Sequence, residues 1–217
     1  PHTVKYRVLG TAQNVLNLNK LGLLPTRNYQ EGTFEYAELV SGEYLHDHQL
    51  VKIIACAQCP IACEHMSAAK SGEYAGAMTG IEYECLFANS SNLGISDIQT
   101  SIKMIEIADR SGMDAMSMGI TIGWAMESYE KGVLKKEDFK CRKYPQGFEA
   151  NFGNTAAAVT MAEMIRDREG IGKILSEGTK RASQTIEQER GTESWKWAMN
   201  VKGMEPAGYD ARGLKTF

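Results

Sequence analysis

Residues 96–114, SDIQTSIKMIEIADRSGMD, decide how the rest of the chain reads. Ser96 reads as an N-cap for a helix from Asp97 to about Arg110, since short polar side chains accept the amide protons left over at a helix start. Ile98, Ile102 and Ile105 recur at three- and four-residue spacing and give that helix one apolar side. Gly112 supplies an ordinary glycine stop.

Working outward, the same punctuation recurs. Residues 115–130 are rich in methionine (Met116, Met118, Met126) and read as a helix stopped by Gly132, its methionines filling core rather than a cofactor box. Residues 133–148 are charged and irregular, with 135–138 a solvated loop. Asn154 or Thr155 caps a helix to about Asp167, and residues 171–186 form another. Upstream, residues 4–24 place Val8, Ala12, Val15, Leu16 and Leu18 as an amphipathic helix would, ended before Pro25. Ser41 introduces a helix over 42–51, and a further one spans 80–90. No run of alternating polarity is long enough to predict a strand. The expected fold is mainly α, a multi-helix domain over 1–150 followed by the start of a further helical domain over 151–217.

The chain has 217 residues, 43% of them hydrophobic and 24% charged, with a formal net charge of −3. That is an ordinary globular composition, and the charge gives no reason to expect nucleic acid as a partner. No apolar run reaches about 18 residues, so no membrane span is predicted. Five cysteines, three of them clustered, do not read as a disulfide framework and fit a reducing, cytoplasmic setting. The sequence opens on Pro1 and ends on Phe217 without a tail, so a piece of a longer polypeptide is expected.

The cluster is CAQCPIACEH, residues 56–65, with Cys56, Cys59 and Cys63 at C-x2-C-x3-C spacing. Three thiolates this close favour a metal. A structural zinc site pairs two cysteine knuckles, and no second knuckle exists, with Cys85 and Cys141 standing alone. Three close cysteines and one distant one suit a [4Fe-4S] cluster better. Zinc, or buried thiols packed as small hydrophobes, are the remaining readings. Alternating His46 and His48 read as a solvated face.

Five segments in order carry a resemblance: residues 11–35, the cysteine motif, GIEYE at 80–84, DRSGMD at 109–114 and VKGMEP at 201–206. Together they resemble the aldehyde:ferredoxin oxidoreductase family, which holds tungsten (or molybdenum) between two pterins beside a [4Fe-4S] cluster. The resemblance implies the helical second domain and the start of the third, without the β-rich first. Trp195 and Trp197 are expected to pack against the start of the third domain. It implies that Cys56, Cys59 and Cys63 are cluster ligands and that the fourth cysteine lies beyond Phe217. DRSGMD resembles the family's pterin-binding loop, with Met113 in place of leucine. There Asp109 and Asp114 would accept pterin N–H hydrogen bonds while Gly112 lets the backbone approach. Of Glu82 and Glu84, Glu84 is the better match for the glutamate beside the metal, where it would move the substrate proton. The implied activity is aldehyde oxidation to carboxylic acid, with electrons passed to ferredoxin or another redox partner by an enzyme of which the isolated chain would be inactive.

Two departures bear on substrate. Aldehyde-oxidising members typically carry histidine where this chain has Asn200. Cys85 follows Glu84, and a soft thiolate there is a candidate ligand at the cofactor, as in relatives that reduce an aromatic acyl-CoA thioester. The small substrate is therefore an aldehyde or an acyl thioester. A third reading is a non-catalytic helical module carrying a cluster or zinc. Homodimer or heteromer is left open by the sequence.

Overall fold

The computed structural model describes residues 2–213, so the last four residues of the 151–217 segment lie outside the described residues. Nine α-helices occur among them: α1 (His2–Leu9), α2 (Asn14–Leu21), α3 (Gly42–Tyr44), α4 (Tyr83–Ala88), α5 (Ile98–Ser111), α6 (Ala115–Glu130), α7 (Thr155–Asp167), α8 (Gly172–Leu175) and α9 (Thr179–Arg190). None is long and apolar enough to cross a membrane. The mainly α expectation holds, with one correction. A three-stranded antiparallel sheet runs β1 (Leu50–Ile54), β2 (Glu64–Ala68), β3 (Met78–Ile81), in that spatial order.

The strands escaped the sequence because their burial pattern inverts the usual hydropathy. β2 does alternate, but its two fully buried residues are polar, His65 and Ser67. β1 leaves Val51 and Ile53 exposed, so its apolar run carries no period. β3 has only four residues. The helix expected over 80–90 accordingly starts late, at Tyr83, because Gly80 and Ile81 pair with β2. The helix expected over 42–51 shrinks to α3 and a π-helical turn (Leu45–Gln49) before β1 begins, although Ser41 does cap it, accepting from Tyr44 N at 3.1 Å.

Helices α5 and α6 behave as read. Asp97, rather than Ser96, caps α5, accepting from the amides of Gln99 and Thr100 at 3.2 Å each. Gly112 ends α5 in the left-handed region (φ 66°), and Met113 N closes the last turn on Ala108 O at 2.9 Å. Asp114 at once caps α6 through Ser117 N at 2.7 Å. α6 is the centre of the molecule, with twelve of its sixteen residues buried. Gly119 lets it approach α4: a Cβ there would sit 2.4 Å from Ala88 O. Met118 and Met126 are core, as expected. Asn154 caps α7.

Two expected helices are each broken by a left-handed glycine. Gly10 (φ 64°) separates α1 from α2, leaving Val8 exposed while Ala12, Val15 and Leu18 are buried. Gly178 (φ 81°) separates α8 from α9. Periodicity alone ran through both breaks. Buried side chains from Ala12 to Ala198 belong to one continuous core, to which α5, α6 and α7 all contribute. Trp197 tucks against it, donating from Nε1 to Ser128 Oγ at 2.9 Å, whereas Trp195 is 51% exposed.

Candidate functional site

The β1–β2 connection carries Cys56, Cys59 and Cys63 on one loop. Cys59 N donates to Cys56 O at 3.0 Å, closing the C-x2-C turn. Gln58 (φ 61°) and Ala62 (φ 56°), each directly before a cysteine, are held left-handed, a conformation that costs a residue with a Cβ about 1 kcal/mol or more. α1 clamps the loop: Arg7 Nη2 donates to Pro60 O, and His65 Nε2 donates to Arg7 O, both at 3.1 Å. Burial holds the His65 imidazole below its usual pKa, so it stays neutral and serves this clamp. Cys56 is exposed, and Cys59 and Cys63 are half-buried. Burial, then Glu82 and the other two thiols, push the Cys63 thiol up despite an opposing backbone hydrogen bond. Among the described residues no three histidine, cysteine, aspartate or glutamate side chains converge closely enough to hold a metal ion. The thiol donors and the strained loop suit a thiolate-bound cluster, although among the described residues the three cysteines are not gathered into a ligand set.

The second predicted motif is the turn between α5 and α6. Asp109 and Asp114 are exposed, and each carboxylate uses one oxygen structurally. Asp109 Oδ2 accepts from Thr79 Oγ1, tying α5 to β3, and Asp114 Oδ1 accepts from Ser117 N. One oxygen of each is left to bind something else. Nothing approaches within 4 Å of a Cβ built on Gly112, so its left-handed backbone, not crowding, calls for glycine there. Half-buried Met113 and exposed Asp114 open into a cleft of about 470 Å³ that runs to Arg166, Arg168, Glu177 and Glu205.

At the start of α4, Glu82 is exposed in extended backbone while Glu84 is half-buried. Burial, and to a lesser degree Glu82, raises the Glu84 pKa against a backbone hydrogen bond: Gly208 N donates to Glu84 Oε2 at 2.8 Å. Residues 205–210 thus cross the molecule as a strap over Glu84. Tyr29 Oη donates to the carbonyls of Pro206 and Ala207, 3.0 Å each, and Tyr83 Oη donates to Gly208 O. Burial and the negative charge of Glu84 push both phenols far above their ordinary pKa. Glu205 Oε1 anchors the strap's near end by capping α9 at Thr179 N, 2.9 Å. Tyr29, Tyr83 and Glu205 lie inside three of the segments quoted from the sequence, yet none was given a role there.

Cys85 joins these parts. It is half-buried, and its thiol is pushed up to about 12 by burial and then by Glu82, Asp109, Asp114 and Glu84. The predicted residues Glu84, Cys85, Asp109 and Asp114 therefore share one electrostatic neighbourhood, and Glu82 connects it to Cys63. The Asn200 side chain closes its own turn, donating to Ala198 O at 2.8 Å and accepting from Gly203 N at 3.2 Å. His46 bonds only its neighbour Asp47, as a solvated side chain would.

Residues 1–217 match the family described as aldehyde ferredoxin oxidoreductase, domains 2 & 3. A tungsten-containing aldehyde ferredoxin oxidoreductase from Pyrococcus abyssi is 41% identical over 206 residues, covering 95% of this chain and 32% of that protein. The WOR-like subunit of an aliphatic sulfonate oxidoreductase from Pyrococcus furiosus is 32% identical over 189 residues, 87% of this chain and 29% of the relative. The chain thus spans about a third of the length of these relatives. Among solved structures, the BamBC active-site complex of benzoyl coenzyme A reductase, with 1,5 dienoyl-CoA, superposes with a TM-score of 0.69 over 94% of this chain and 29% of that one. At 21% identity that likeness speaks for the fold alone.

Proposed function

Since the chain belongs to the aldehyde ferredoxin oxidoreductase family, we propose that it is the cofactor-holding helical part of an enzyme that oxidises aldehydes to carboxylic acids. Its cofactors would be a tungsten (or molybdenum) bis-pterin and a [4Fe-4S] cluster, and its electrons would pass to ferredoxin or another redox partner. The observation that carries this reading is Glu84, half-buried at the start of α4 and bonded by Gly208 N at 2.8 Å, next to the half-buried Cys85 whose thiol also feels Glu82, Asp109 and Asp114. Carboxylates from the start of α4 and from the α5–α6 turn, acting on one half-buried thiol, do not add stability, because each raises the electrostatic cost of the others.

When bound, the metal–pterin group supplies the two-electron chemistry and the cluster carries electrons away singly. Oxidation of an aldehyde with water releases two electrons and two protons. The chain's residues would do the rest. Cys56, Cys59 and Cys63 hold the cluster on a loop stiffened by α1. The free oxygens of Asp109 and Asp114 accept pterin N–H groups over the open backbone of Gly112, with Met113 flanking. Cys85 would lie against the cofactor with its thiol protonated near neutral pH unless a metal displaces the proton. Glu84, with its pKa raised by burial, takes up a substrate proton and releases it to solvent.

A second reading, low-potential reduction of an aromatic acyl-CoA thioester, is favoured by Asn200 standing where aldehyde oxidisers carry histidine. In either case the setting is a soluble, cytoplasmic enzyme, a homodimer or a heteromer, acting on a small molecule and not on nucleic acid. The test is anaerobic turnover by the metal-loaded enzyme carrying this chain. Viologen reduction that depends on added aldehyde supports the first reading. Turnover of thioesters alone supports the second, and a loaded protein inert toward both leaves a non-catalytic electron-transfer module.

A further inference from the structure

Arg27, Asn28 and Tyr29 are three consecutive non-glycine residues in the left-handed region, at φ 46°, 53° and 62°. Such residues cost of order 1–3 kcal/mol each and persist only where their surroundings hold them. The surroundings hold the turn from several sides, although the buried Asn28 Oδ1 has no hydrogen-bond partner among the described residues. Arg27 N donates to Ser91 O at 3.0 Å and Asn28 N to Asn92 O at 2.9 Å. The fully buried Asn28 side chain donates to Glu127 Oε2 at 2.6 Å and to Trp197 O at 2.9 Å. Arg27 is braced by Glu31 and Glu35, and Arg212 donates to Tyr29 O.

What this turn delivers is the Tyr29 side chain. Its ring is 6% exposed and meets Phe87 edge-on at 6.3 Å. Its hydroxyl reaches the carbonyls of Pro206 and Ala207, immediately before the residue whose amide bonds Glu84. Tyr83 grips Gly208 O from the other side. We propose that Tyr29 is a positioning residue that pins the 205–210 strap so that Gly208 N fixes the Glu84 carboxylate in its working orientation. This rests on the catalytic reading of Glu84 given above. A merely structural tyrosine would need its ring in the core; it would not need a strained turn that aims its hydroxyl at two consecutive carbonyls of the strap.

The test is a double-mutant cycle on the metal-loaded enzyme, Tyr29→Phe with Glu84→Gln, followed by turnover and by hydrogen exchange at residues 206–210 in the metal-free protein. Tyr29→Phe keeps the ring and removes only the hydroxyl, so folding should survive. The expected result is a loss of about tenfold in kcat, shrinking to less than twofold in the Glu84→Gln background because the two changes act through one carboxylate. Exchange at Gly208 should quicken about tenfold, and Tyr83→Phe should quicken it similarly. Equal factors in both backgrounds, or unchanged Gly208 exchange in Tyr29→Phe, would overturn the proposal. If Glu84→Gln alone keeps full activity, the catalytic reading of Glu84 fails instead, and the Gly208 exchange rate alone then decides whether Tyr29 pins the strap.

Discussion

Gly208→Ala puts the strap under a calculable load. Gly208 is buried, and a Cβ there would lie 2.4, 2.7 and 2.9 Å from Cδ1, Cε1 and Cγ of Phe87. The ring has nowhere to go: Phe87 is fully buried, stacked on Tyr83 at 5.8 Å and edge-on to Tyr29. The protein can absorb the methyl in two ways. Overpacking the aromatic cage costs about 1–3 kcal/mol. Lifting the strap instead breaks the Gly208–Glu84 and Tyr83–Gly208 hydrogen bonds, each contributing about 1 kcal/mol net at a half-exposed site. Both routes come to about 2 kcal/mol, which in a chain of this size lowers Tm by about 4–8 °C. Thermal unfolding followed by circular dichroism, with hydrogen exchange at residues 206–210, checks it. The cost should shrink in a Phe87→Leu background, where the ring is gone. A Tm change below about 2 °C with Gly208 exchange unaltered would refute the close packing of strap and cage.

Three further outcomes follow from the same geometry. Asp97→Ala removes the α5 cap and should cost about 1 kcal/mol, or about 2–4 °C in Tm, whereas Ser96→Ala should cost little; the reverse order would return the cap to Ser96. Burial raises the Glu84 pKa above its ordinary 4.5, so the folded state binds that proton more tightly than the unfolded one. Its contribution to stability is complete below the unfolded value and is lost as pH rises through the folded value. Denaturation midpoints should therefore show wild type losing ground to Glu84→Gln as pH rises from about 4.5 toward neutrality; a flat or rising difference contradicts the burial argument. With its thiol near 12, only about one part in ten thousand of Cys85 is thiolate at pH 8. Alkylation of the metal-free protein should then label exposed Cys56 first and leave Cys85 and buried Cys141 largely unmodified by mass spectrometry. Early labelling of Cys85 would sink that picture.

How far the sequence reached depended on where the deciding information lay. α5 was legible because a cap, an apolar stripe and a glycine stop sit within one stretch, α6 because a methionine-rich run ends near Gly132, and α7 because Asn154 caps it. The sheet was not, since the buried face of β2 presents His65 and Ser67 and a polarity pattern cannot announce a polar core. The breaks at Gly10 and Gly178 were hidden by apolar spacing that continues across them. At the site, Glu84, Cys85, Asp109 and Asp114 could be named from their motifs, and their shared neighbourhood follows from packing. Tyr29 and the strap could not be found this way: the two are separated by some 177 residues, and their link is a hydroxyl on two backbone carbonyls, which leaves no mark on side-chain identity.

The central claim is that this chain holds a cluster and a metal–pterin centre side by side. Elemental analysis with low-temperature electron paramagnetic resonance on the anaerobically purified enzyme tests it most directly. The account predicts about four iron atoms and one tungsten or molybdenum per polypeptide, with a Cys56, Cys59 and Cys63 to serine triple variant losing the cluster signal. Purified enzyme with neither tungsten nor molybdenum, or a triple variant that keeps its full iron and cluster signal, would contradict it.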